Sequence, residues 1–315
     1  MEIFRGVPDR PHRPVPGVLA LGTFDGVHRG HLALLGETVR RAGERGVSAA
    51  ALTFDPHPLQ VIAPPPEAFL LTTLDERLEL LAAVGISATY VIRFDEALRE
   101  LSAEEWVDLL RAGIGMSEVV CGVNYTFGHD RGGNVERLRA LAGGRGFSVH
   151  VGPQVHVGGT LVSSTLIRRL LRTGDVQEAA RFLGRWYALD GTVQRGDARG
   201  RTLGFPTANL GIAEEKLIPG PGIYAAFART EAGAHQAAVS VGTRPTFGPG
   251  ALTVEAYLLD FDGDLYGQTM RLRFVQRLRE EIAFTSEAAL VRQIREDVAE
   301  TRRLLPRAVP PPVVP

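Results

Sequence analysis

Cysteine and lysine are almost absent from this chain, and their scarcity excludes several kinds of site. Cys121 is the only cysteine in 315 residues, so an intrachain disulfide and a cysteine-rich zinc centre are both excluded. Lys216 is the only lysine, and Glu214 and Glu215 precede it where a Walker A loop requires glycine. Any phosphate must therefore be bound by arginine, histidine, backbone amides or a metal ion.

The chain also lacks an excess of charge and long apolar runs. The net charge is −1, so no broad basic surface indicates a nucleic-acid partner. No apolar run approaches the ~20 residues that a membrane span needs. The segment Met1–Arg5 lacks the apolar core of a secretion signal. With the single cysteine, these features predict a cytoplasmic protein without membrane or nucleic-acid partners, and they leave the oligomeric state open.

The length and the pattern of apolar residues predict two domains. Over residues 1–184, buried strand patterns alternate with helix patterns, which is typical of a doubly wound parallel sheet in an α/β domain. Over residues 185–305, short strands separated by glycine and proline turns predict a small antiparallel β-barrel followed by a C-terminal helix. The proline-rich residues 306–315 are expected to form a disordered tail.

Helix patterns in both domains predict which residues begin the helices and which face inward. Thr73 and Ser102 each precede a glutamate by three residues, which predicts two capping boxes. Apolar spacing places three sets of residues on the buried faces of three helices: Leu78, Leu81 and Ala82; Trp106, Leu109 and Leu110; and Leu290, Ile294, Val298 and Ala299.

The segment Gly22–His31 connects the first predicted strand, Val18–Leu21, to the first predicted helix. Such a turn lies at the carboxyl end of a strand, where α/β sheets bind ligands and where helix amides suit phosphate. His28 and His31 would face the same site if the helix has begun there. The residue types alone leave three interpretations open: surface histidines, two ligands of a zinc site that needs a third, or a phosphate site.

Two later segments carry polar residues next to strand or helix ends. Asn124 directly follows a predicted strand and either caps a turn or contacts a ligand. The hydroxyl groups of Ser163–Arg168 either cap a helix or form a second anion site with Arg168, whose guanidinium is always charged. Arg169 and Arg172 are expected to be solvated.

In the second domain, oxygen-bearing side chains recur near a glycine-rich segment. Thr207 and Asn209 lie two residues apart, so they face the same side of a strand. Their hydroxyl and amide oxygens suit Mg²⁺ shared with phosphates, although two polar strand residues can equally be solvated. Glu255 lies between apolar residues and either faces outward or serves as a base; the residue types leave both interpretations open.

Several motifs occur in an order that resembles a known family. The first domain contains Gly-x-Phe-Asp-Gly-x-His-x-Gly-His, Thr-Phe-Asp-Pro-His-Pro, Gly-x-Asn-Tyr-x-Phe-Gly and Ser-Ser-Thr-x-Ile-Arg. They resemble the adenylyltransferase module of the prokaryotic bifunctional riboflavin kinase/FMN adenylyltransferase (FAD synthetase) family. The second contains Gly-Arg-x-Leu-Gly-Phe-Pro-Thr-Ala-Asn, Gly-x-Arg-Pro-Thr-Phe and Asp-Leu-Tyr-Gly, which resemble the kinase module. The family usually has phenylalanine where this chain has Tyr125, which keeps an aromatic ring.

The resemblance implies two reactions, a nucleotidyltransferase-like fold for the first domain, and Mg²⁺ with ATP as cofactor. The barrel domain would phosphorylate riboflavin with ATP to give FMN. The first domain would transfer AMP from ATP to FMN, which gives FAD and pyrophosphate. Two rivals are a flavin- or nucleotide-binding protein without turnover, and an adenylyltransferase that acts on another phosphorylated precursor, which would leave the second domain unexplained.

The resemblance also implies roles for individual residues of the first domain. The residues implied to bind ATP there are Gly22, Phe24, Asp25, Gly26, His28, His31, Asn124, Ser164, Thr165 and Arg168. Among them, His28 and His31 would contact the phosphates and Arg168 would stabilise the leaving pyrophosphate. Pro56 and Pro58 would lie against the flavin ring.

For the kinase module, the resemblance implies a smaller set. Residues implied to bind ATP are Gly200, Gly204, Thr207 and Asn209. Thr207 and Asn209 would also hold Mg²⁺, and Glu255 would deprotonate the ribityl hydroxyl of riboflavin.

Overall fold

The computed structural model describes residues 1–8, 17–65, 67–196, 200, 203–243 and 252–310. Within them the chain forms two compact units. The first contains Met1–Glu67 and Thr72–Ser163, and the second contains Ala68–Leu71 and the chain from Ser164 onward. None of the described helices is both long and apolar enough to cross a membrane.

The first unit is built on a six-stranded sheet, in which every pair of neighbouring strands is parallel. The strands are β1 (Glu2–Arg5), β2 (Val18–Leu21), β3 (Ala49–Phe54), β4 (Ala88–Ile92), β5 (Glu118–Cys121) and β6 (Ser148–Val151). The helices are α1 (Arg29–Glu44), α2 (Pro58–Ile62), α3 (Leu74–Val84), α4 (Glu96–Arg99), α5 (Ala103–Gly113) and α6 (Val135–Gly143). A small hairpin, β7 (His156–Val157) and β8 (Thr160–Leu161), follows the sheet.

Apolar side chains cover both faces of this sheet, because successive strand residues point to opposite sides. Leu19 and Leu21 pack into a cluster with Trp106 of α5. Val18 and Ala20 pack on the other face with Leu35 of α1. The sheet is therefore a buried central layer, as the continuous apolar strand patterns predict.

The order of the strands places a switch point beside β2. The sheet runs β1-β4-β3-β2-β5-β6, so the chain moves from β2 to β3 and β4 on one side and resumes with β5 on the other. Leu21 pairs with Leu52 of β3 and with Cys121 of β5. Ligands bind α/β sheets at the carboxyl ends of strands where the order reverses, and both Gly22–His31 and Asn124 begin at this point.

The second unit contains a closed antiparallel barrel and several helical segments. Its strands follow the spatial order β10-β13-β12-β11-β14-β9. They are β9 (Tyr187–Gln194), β10 (Ala208–Ile212), β11 (Gly222–Thr230), β12 (Gly233–Thr243), β13 (Leu252–Leu258) and β14 (Thr269–Arg279). The helices are α7 (Ser164–Arg172), α8 (Val176–Leu183) and α9 (Glu287–Leu304), and a short 3₁₀ helix covers Leu305–Arg307. The predicted fold class, a parallel sheet followed by a barrel and a C-terminal helix, is confirmed.

Both predicted capping boxes are present, but three inward positions are wrong. The side chains of Thr73 and Ser102 accept hydrogen bonds from the amides of Glu76 and Glu105. The carboxylates of these glutamates accept in turn from the backbone amides of Thr73 and Ser102. Ala82, Ala299 and Leu109 are exposed. Leu78, Leu81, Trp106 and Leu110 are buried, as predicted. The buried faces also include polar residues: Arg77 on α3, and Asp297 and Thr301 on α9.

Each unit buries a residue whose type occurs only once in the sequence. Cys121 of β5 is fully buried, and burial raises the pKa of its thiol to about 11. Lys216 is 2% exposed; its Nζ donates to the carbonyl of Leu71 at 2.8 Å and lies 4.9 Å from the centroid of the Tyr187 ring. Both side chains are shielded from water.

Two candidate active sites

The turn after β2 has an unusual backbone. Phe24 and Val27 have φ values of 51° and 36°, and Gly26 has a φ of 83°. A positive φ is rare for side chains such as phenylalanine and valine, and such conformations concentrate at functional sites. Both side chains are fully buried, so packing under the sheet edge offsets the strain.

Two histidines lie at the end of this turn in a defined arrangement. His28 is the N-cap of α1, and its Nδ1 accepts a hydrogen bond from the amide of His31 at 3.3 Å. The two imidazole rings are stacked, with centroids 3.6 Å apart and planes 14° apart. A Cβ on Gly30 would lie only 3.2 Å from His28 Cε1, so glycine leaves room for this ring. Both rings thus adjoin the first amides of α1, which suit an anion.

A buried carboxylate fixes the middle of the turn. Asp25 is fully buried, and its Oδ1 accepts from the amide of Thr72 at 3.0 Å and from its hydroxyl at 3.1 Å. Thr72 Oγ1 in turn accepts from the amide of Gly26 at 3.0 Å. Asp25 and Gly26 therefore shape the turn from within the protein. Phe24 packs edge-on against His31, with 5.4 Å between ring centroids, and a Cβ on Gly22 would meet the Phe24 ring at 3.0 Å.

The segment after β5 combines an exposed asparagine with a partly buried tyrosine. Asn124 is exposed. Tyr125 stacks on Phe127 at 5.4 Å between centroids, and its hydroxyl accepts from Trp106 Nε1 at 3.4 Å. Burial raises the pKa of the Tyr125 hydroxyl well above its ordinary value. The tyrosine that replaces the family's usual phenylalanine is therefore a packed, neutral ring.

The loop after β3 holds the two prolines assigned to the flavin. The peptide bond between Asp55 and Pro56 is cis, and Pro58 is the first residue of α2. His57 between them is buried and caps α2, where its Nδ1 accepts from the amide of Leu59 at 3.1 Å. Both prolines are half-buried.

Three residues assigned to the first module lie in α7, which belongs to the second compact unit. Ser164 and Thr165 are its first two residues. Arg168 Nε donates to the carbonyl of Phe69 at 2.8 Å, and its guanidinium lies 5.1 Å from the centre of the Phe69 ring. Arg169 and Arg172 are exposed, as expected.

The barrel brings together the three residues predicted for the second site. Thr207 Oγ1 donates to Glu255 Oε2 at 3.0 Å. Asn209 of β10 stands directly opposite Glu255 of β13. Val254 and Ala256 are buried on the inner side of β13, so the half-buried Glu255 between them lies on the outer face. The three side chains form one oxygen-rich group there.

Glycines allow the backbone to approach this group closely. A Cβ on Gly196 would lie 2.3 Å from Asn209 Nδ2, and one on Gly200 would lie 2.3 Å from the carbonyl of Phe205. Phe205 donates its amide to the carbonyl of Gly200 at 2.8 Å. Gly204 has a φ of 83°, which favours glycine. Residues 197–199, 201–202 and 244–250, which include most of the Gly-x-Arg-Pro-Thr-Phe motif, lie outside the described residues.

Sequence reasoning missed the polar residues that support the first turn from other elements. Thr72 lies just before a capping box, and Thr53 and Arg77 lie inside a strand and a helix. Thr53 is fully buried and donates to the carbonyl of Thr23 at 2.8 Å. Nothing in the local pattern distinguishes them, because their partners are distant in the chain.

Family models match both parts of the chain. The model described as FAD synthetase matches residues 11–166, and the model described as riboflavin kinase matches residues 183–305. The four motifs of the first domain therefore fall within or at the end of the first match. The second match covers the barrel and α9.

Similar proteins extend over nearly the whole length. Proteins named bifunctional riboflavin kinase/FMN adenylyltransferase include one from Listeria monocytogenes, 38% identical over 90% of this chain and 91% of that protein. One from Pseudomonas fluorescens is 36% identical over 96% and 98%, and one from Escherichia coli is 33% identical over 96% and 97%.

A solved structure shares the fold. A Streptococcus pneumoniae protein, named as a macrolide-efflux protein, has a TM-score of 0.87 and 29% identity over 96% of this chain and 99% of its own. The name of this structure differs from the names of the sequence relatives. The descriptions of both family models agree with the names of the sequence relatives. By these matches, this chain belongs to the family of bifunctional riboflavin kinase/FMN adenylyltransferases.

Proposed function

We propose that this chain converts riboflavin to FMN in the barrel unit and FMN to FAD in the parallel-sheet module, with ATP as the donor in both steps. The observation that carries this proposal is the combination of two unlike polar groups in one chain. One is the stacked pair His28 and His31 at the start of α1. The other is Glu255 held by Thr207 beside Asn209.

Phosphorylation of riboflavin requires removal of a proton from an alcohol. Glu255 takes the proton of the ribityl hydroxyl as its oxygen attacks the γ-phosphorus of ATP, and the bond to the bridging oxygen of ADP breaks. General bases of this kind contribute roughly 10²–10⁴-fold to a rate. The hydrogen bond from Thr207 to Glu255 Oε2, 3.0 Å long, fixes the direction of the carboxylate.

Adenylyl transfer requires no such base, since the FMN phosphate is already ionised. One of its oxygens attacks the α-phosphorus of ATP, and the bond to pyrophosphate breaks. The difficulty lies in bringing anions together, so catalysis consists of positioning and electrostatic stabilisation. The imidazoles of His28 and His31 and the first amides of α1 supply donors for the phosphates.

Mg²⁺ fits the donor set of the second site. The Thr207 hydroxyl and the Asn209 amide supply neutral hard oxygens of the kind that Mg²⁺ accepts together with phosphate oxygens. When bound with ATP, the ion would neutralise phosphate charge. Gly200 and Gly204 would let the backbone approach the same phosphates.

The remaining assignments extend the proposal residue by residue. Asn124 would contact the adenylyl donor, and Ser164, Thr165 and Arg168 would form the anion site for the leaving pyrophosphate. Pro56 and Pro58 would contact the flavin ring. The division of the chain between Gly184 and Arg185, the disordered tail and the cytoplasmic location stay predictions.

The direct test follows flavins over time. Purified protein is incubated with riboflavin, ATP and MgCl₂, and riboflavin, FMN and FAD are separated by chromatography. We expect FMN to appear before FAD, and omission of the metal to stop both steps. Accumulation of FMN without FAD at saturating ATP would contradict the assignment of the first module.

A further inference from the structure

A buried arginine lies beneath the first site and has no role in the proposed chemistry. Arg77 of α3 is only 2% exposed, whereas charged side chains are almost never fully buried without partners. Its Nη1 donates to Thr53 Oγ1 at 2.9 Å and to the carbonyl of Phe54 at 3.0 Å. Both acceptors lie at the carboxyl end of β3, next to the switch point of the sheet.

The first contact leads to the turn that carries the histidines. Thr53 Oγ1 accepts from Arg77 and donates to the carbonyl of Thr23 at 2.8 Å, as a hydroxyl can do both. Thr23 is the second residue of the Gly22–His31 segment. Arg77 therefore fixes the start of this turn through one intervening hydroxyl.

The second contact leads to the loop assigned to the flavin. Phe54 is the last residue of β3, and Asp55–Pro58 follows it directly. Because its carbonyl accepts from Arg77, the point at which this loop leaves the sheet is held by the same guanidinium. One side chain thus connects the two segments that the proposed reaction must bring together.

The charge of Arg77 is also balanced by groups of these segments. Burial lowers the pKa of the Arg77 guanidinium, and the carboxylates of Asp25, Asp55 and Glu76 oppose this effect. Arg77 Nε has no hydrogen-bond partner among the described residues. A buried charge with an unsatisfied donor contributes little to stability compared with an apolar side chain of the same size.

We propose that Arg77 is a positioning residue for adenylyl transfer, which sets the Thr23 turn for ATP and the Asp55–Pro58 loop for FMN. This inference rests on the proposed function of the first module. It predicts that the Arg77 side chain controls the apparent affinities for both substrates without contacting either, and that Thr53 controls only the apparent affinity for ATP.

The test measures FAD formation from supplied FMN, with ATP and FMN varied in turn, in the full-length protein. Arg77→Met keeps most of the apolar volume but removes both hydrogen bonds and the charge; we expect KM for ATP and for FMN each to rise about tenfold. Thr53→Val removes the hydroxyl that joins Arg77 to Thr23 and leaves the hydrogen bond from Arg77 to Phe54 in place, so KM for ATP should rise while KM for FMN stays near wild type. Arg77→Lys should recover part of the loss.

Arg41→Met is the matched control. Arg41 of α1 is partly buried and forms an ion pair of 2.6 Å with Glu118, the first residue of β5, at the opposite end of the strands. Its loss should lower the thermal midpoint and leave both KM values unchanged. Circular dichroism and the thermal midpoint of each variant report whether the first unit is folded, and phosphorylation of riboflavin by the same preparation reports only the amount of intact barrel unit.

The outcomes separate the two proposals. Failure of the wild type to form FAD would contradict the proposed function itself. With an active wild type, unchanged KM values in Arg77→Met, a fall in kcat alone, or an equal rise of both KM values in Thr53→Val would overturn the positioning role. If Arg77→Met does not fold, Thr53→Val decides the matter alone: selective loss of ATP affinity supports the role, and any other pattern contradicts it.

Discussion

The two sites differ in what builds them. The first is made largely of backbone: a turn with three positive φ values leads into the start of α1, and His28 caps that helix. The second is made of side chains on neighbouring antiparallel strands, with Thr207 and Glu255 in direct contact. This difference agrees with the acceptors of the two proposed reactions. An ionised phosphate needs positioning, whereas an alcohol needs a base.

The largest effect is expected from removal of the proposed base, Glu255. Glu255→Gln keeps the volume of the side chain and cannot accept the proton, so FMN formation from riboflavin should fall by roughly 10²–10⁴-fold. FAD formation from supplied FMN should be unchanged, because that acceptor is already ionised. Chromatographic rates of both steps check this, and loss of both activities in a folded variant would show that the sites are not separate.

The reverse pattern is expected for the first site. His31→Ala removes one of the proposed donors to the phosphates, and loss of such a donor typically costs on the order of 3 kcal/mol, or about a hundredfold in rate. FAD formation from FMN should fall by that factor while riboflavin phosphorylation remains normal. Circular dichroism that matches the wild type is the control. An equal loss of both activities would indicate that the two domains are strictly coupled.

A third prediction asks which helices the barrel needs. Among the second unit's elements, α8 packs against β14 and buries Phe182 and Leu183. We expect fragments 164–315 and 185–315 both to phosphorylate riboflavin, with the longer more stable by about 3 kcal/mol because it retains this apolar contact. Urea titrations of the two fragments measure the difference. Equal stabilities would show that α8 is dispensable.

The smallest expected effect concerns the helix that carries the first site. Hydrogen bonds from Arg40 and Arg41 hold the pKa of Glu37 in α1 at about 2, against an ordinary value of 4.5. Because the pKa of Glu37 is lower in the folded state, its carboxylate stabilises the fold at pH values above the unfolded pKa. This contribution to the free energy of unfolding is lost as the pH falls from about 4.5 to 2. Since the group is near the surface, its effect is about 0.5 kcal/mol.

Denaturant titrations of the wild type and Glu37→Gln at several pH values test this. The difference in the free energy of unfolding should be greatest above pH 4.5 and should shrink as the pH falls towards 2. A difference that is independent of pH would contradict the ion-pair explanation.

The strands that are buried on both faces could be predicted from the sequence, but those at the margins could not. Continuous apolar runs mark β2, β3 and β5, because a parallel sheet covered by helices needs them. β1 has only one partly buried residue, Phe4, between exposed neighbours, and it pairs with β4 at the edge of the sheet. Its place depends on a partner more than eighty residues away, which no local pattern contains.

Helix α9 shows why apolar periodicity can mislead. Its most buried residues are Asp297 and Thr301, and Asp297 accepts from Arg279 of β14 at 2.9 and 2.7 Å. A pattern that assigns charged residues to the outside cannot anticipate a buried ion pair. Its acceptor and donor come from different elements.

The candidate site was predictable as a motif but not as an arrangement. The sequence indicates His28 and His31 and their position after a strand, since glycines and a helix pattern surround them. The stacking of their rings and the cap formed by His28 depend on side-chain geometry. Arg77 and Thr53 reach the turn only through the folded sheet, so no spacing rule reveals them.

The burial of Cys121 and Lys216 has a practical consequence for following each unit by itself. The chain has one thiol, inside β5 of the first unit, and one lysine amine, inside the second. Apart from the chain's amino terminus, a thiol reagent and an amine reagent each have a single target, which reacts only when the surrounding structure opens. Labelling rates with the two reagents therefore report local opening of the sheet and of the barrel unit independently, without any engineered probe.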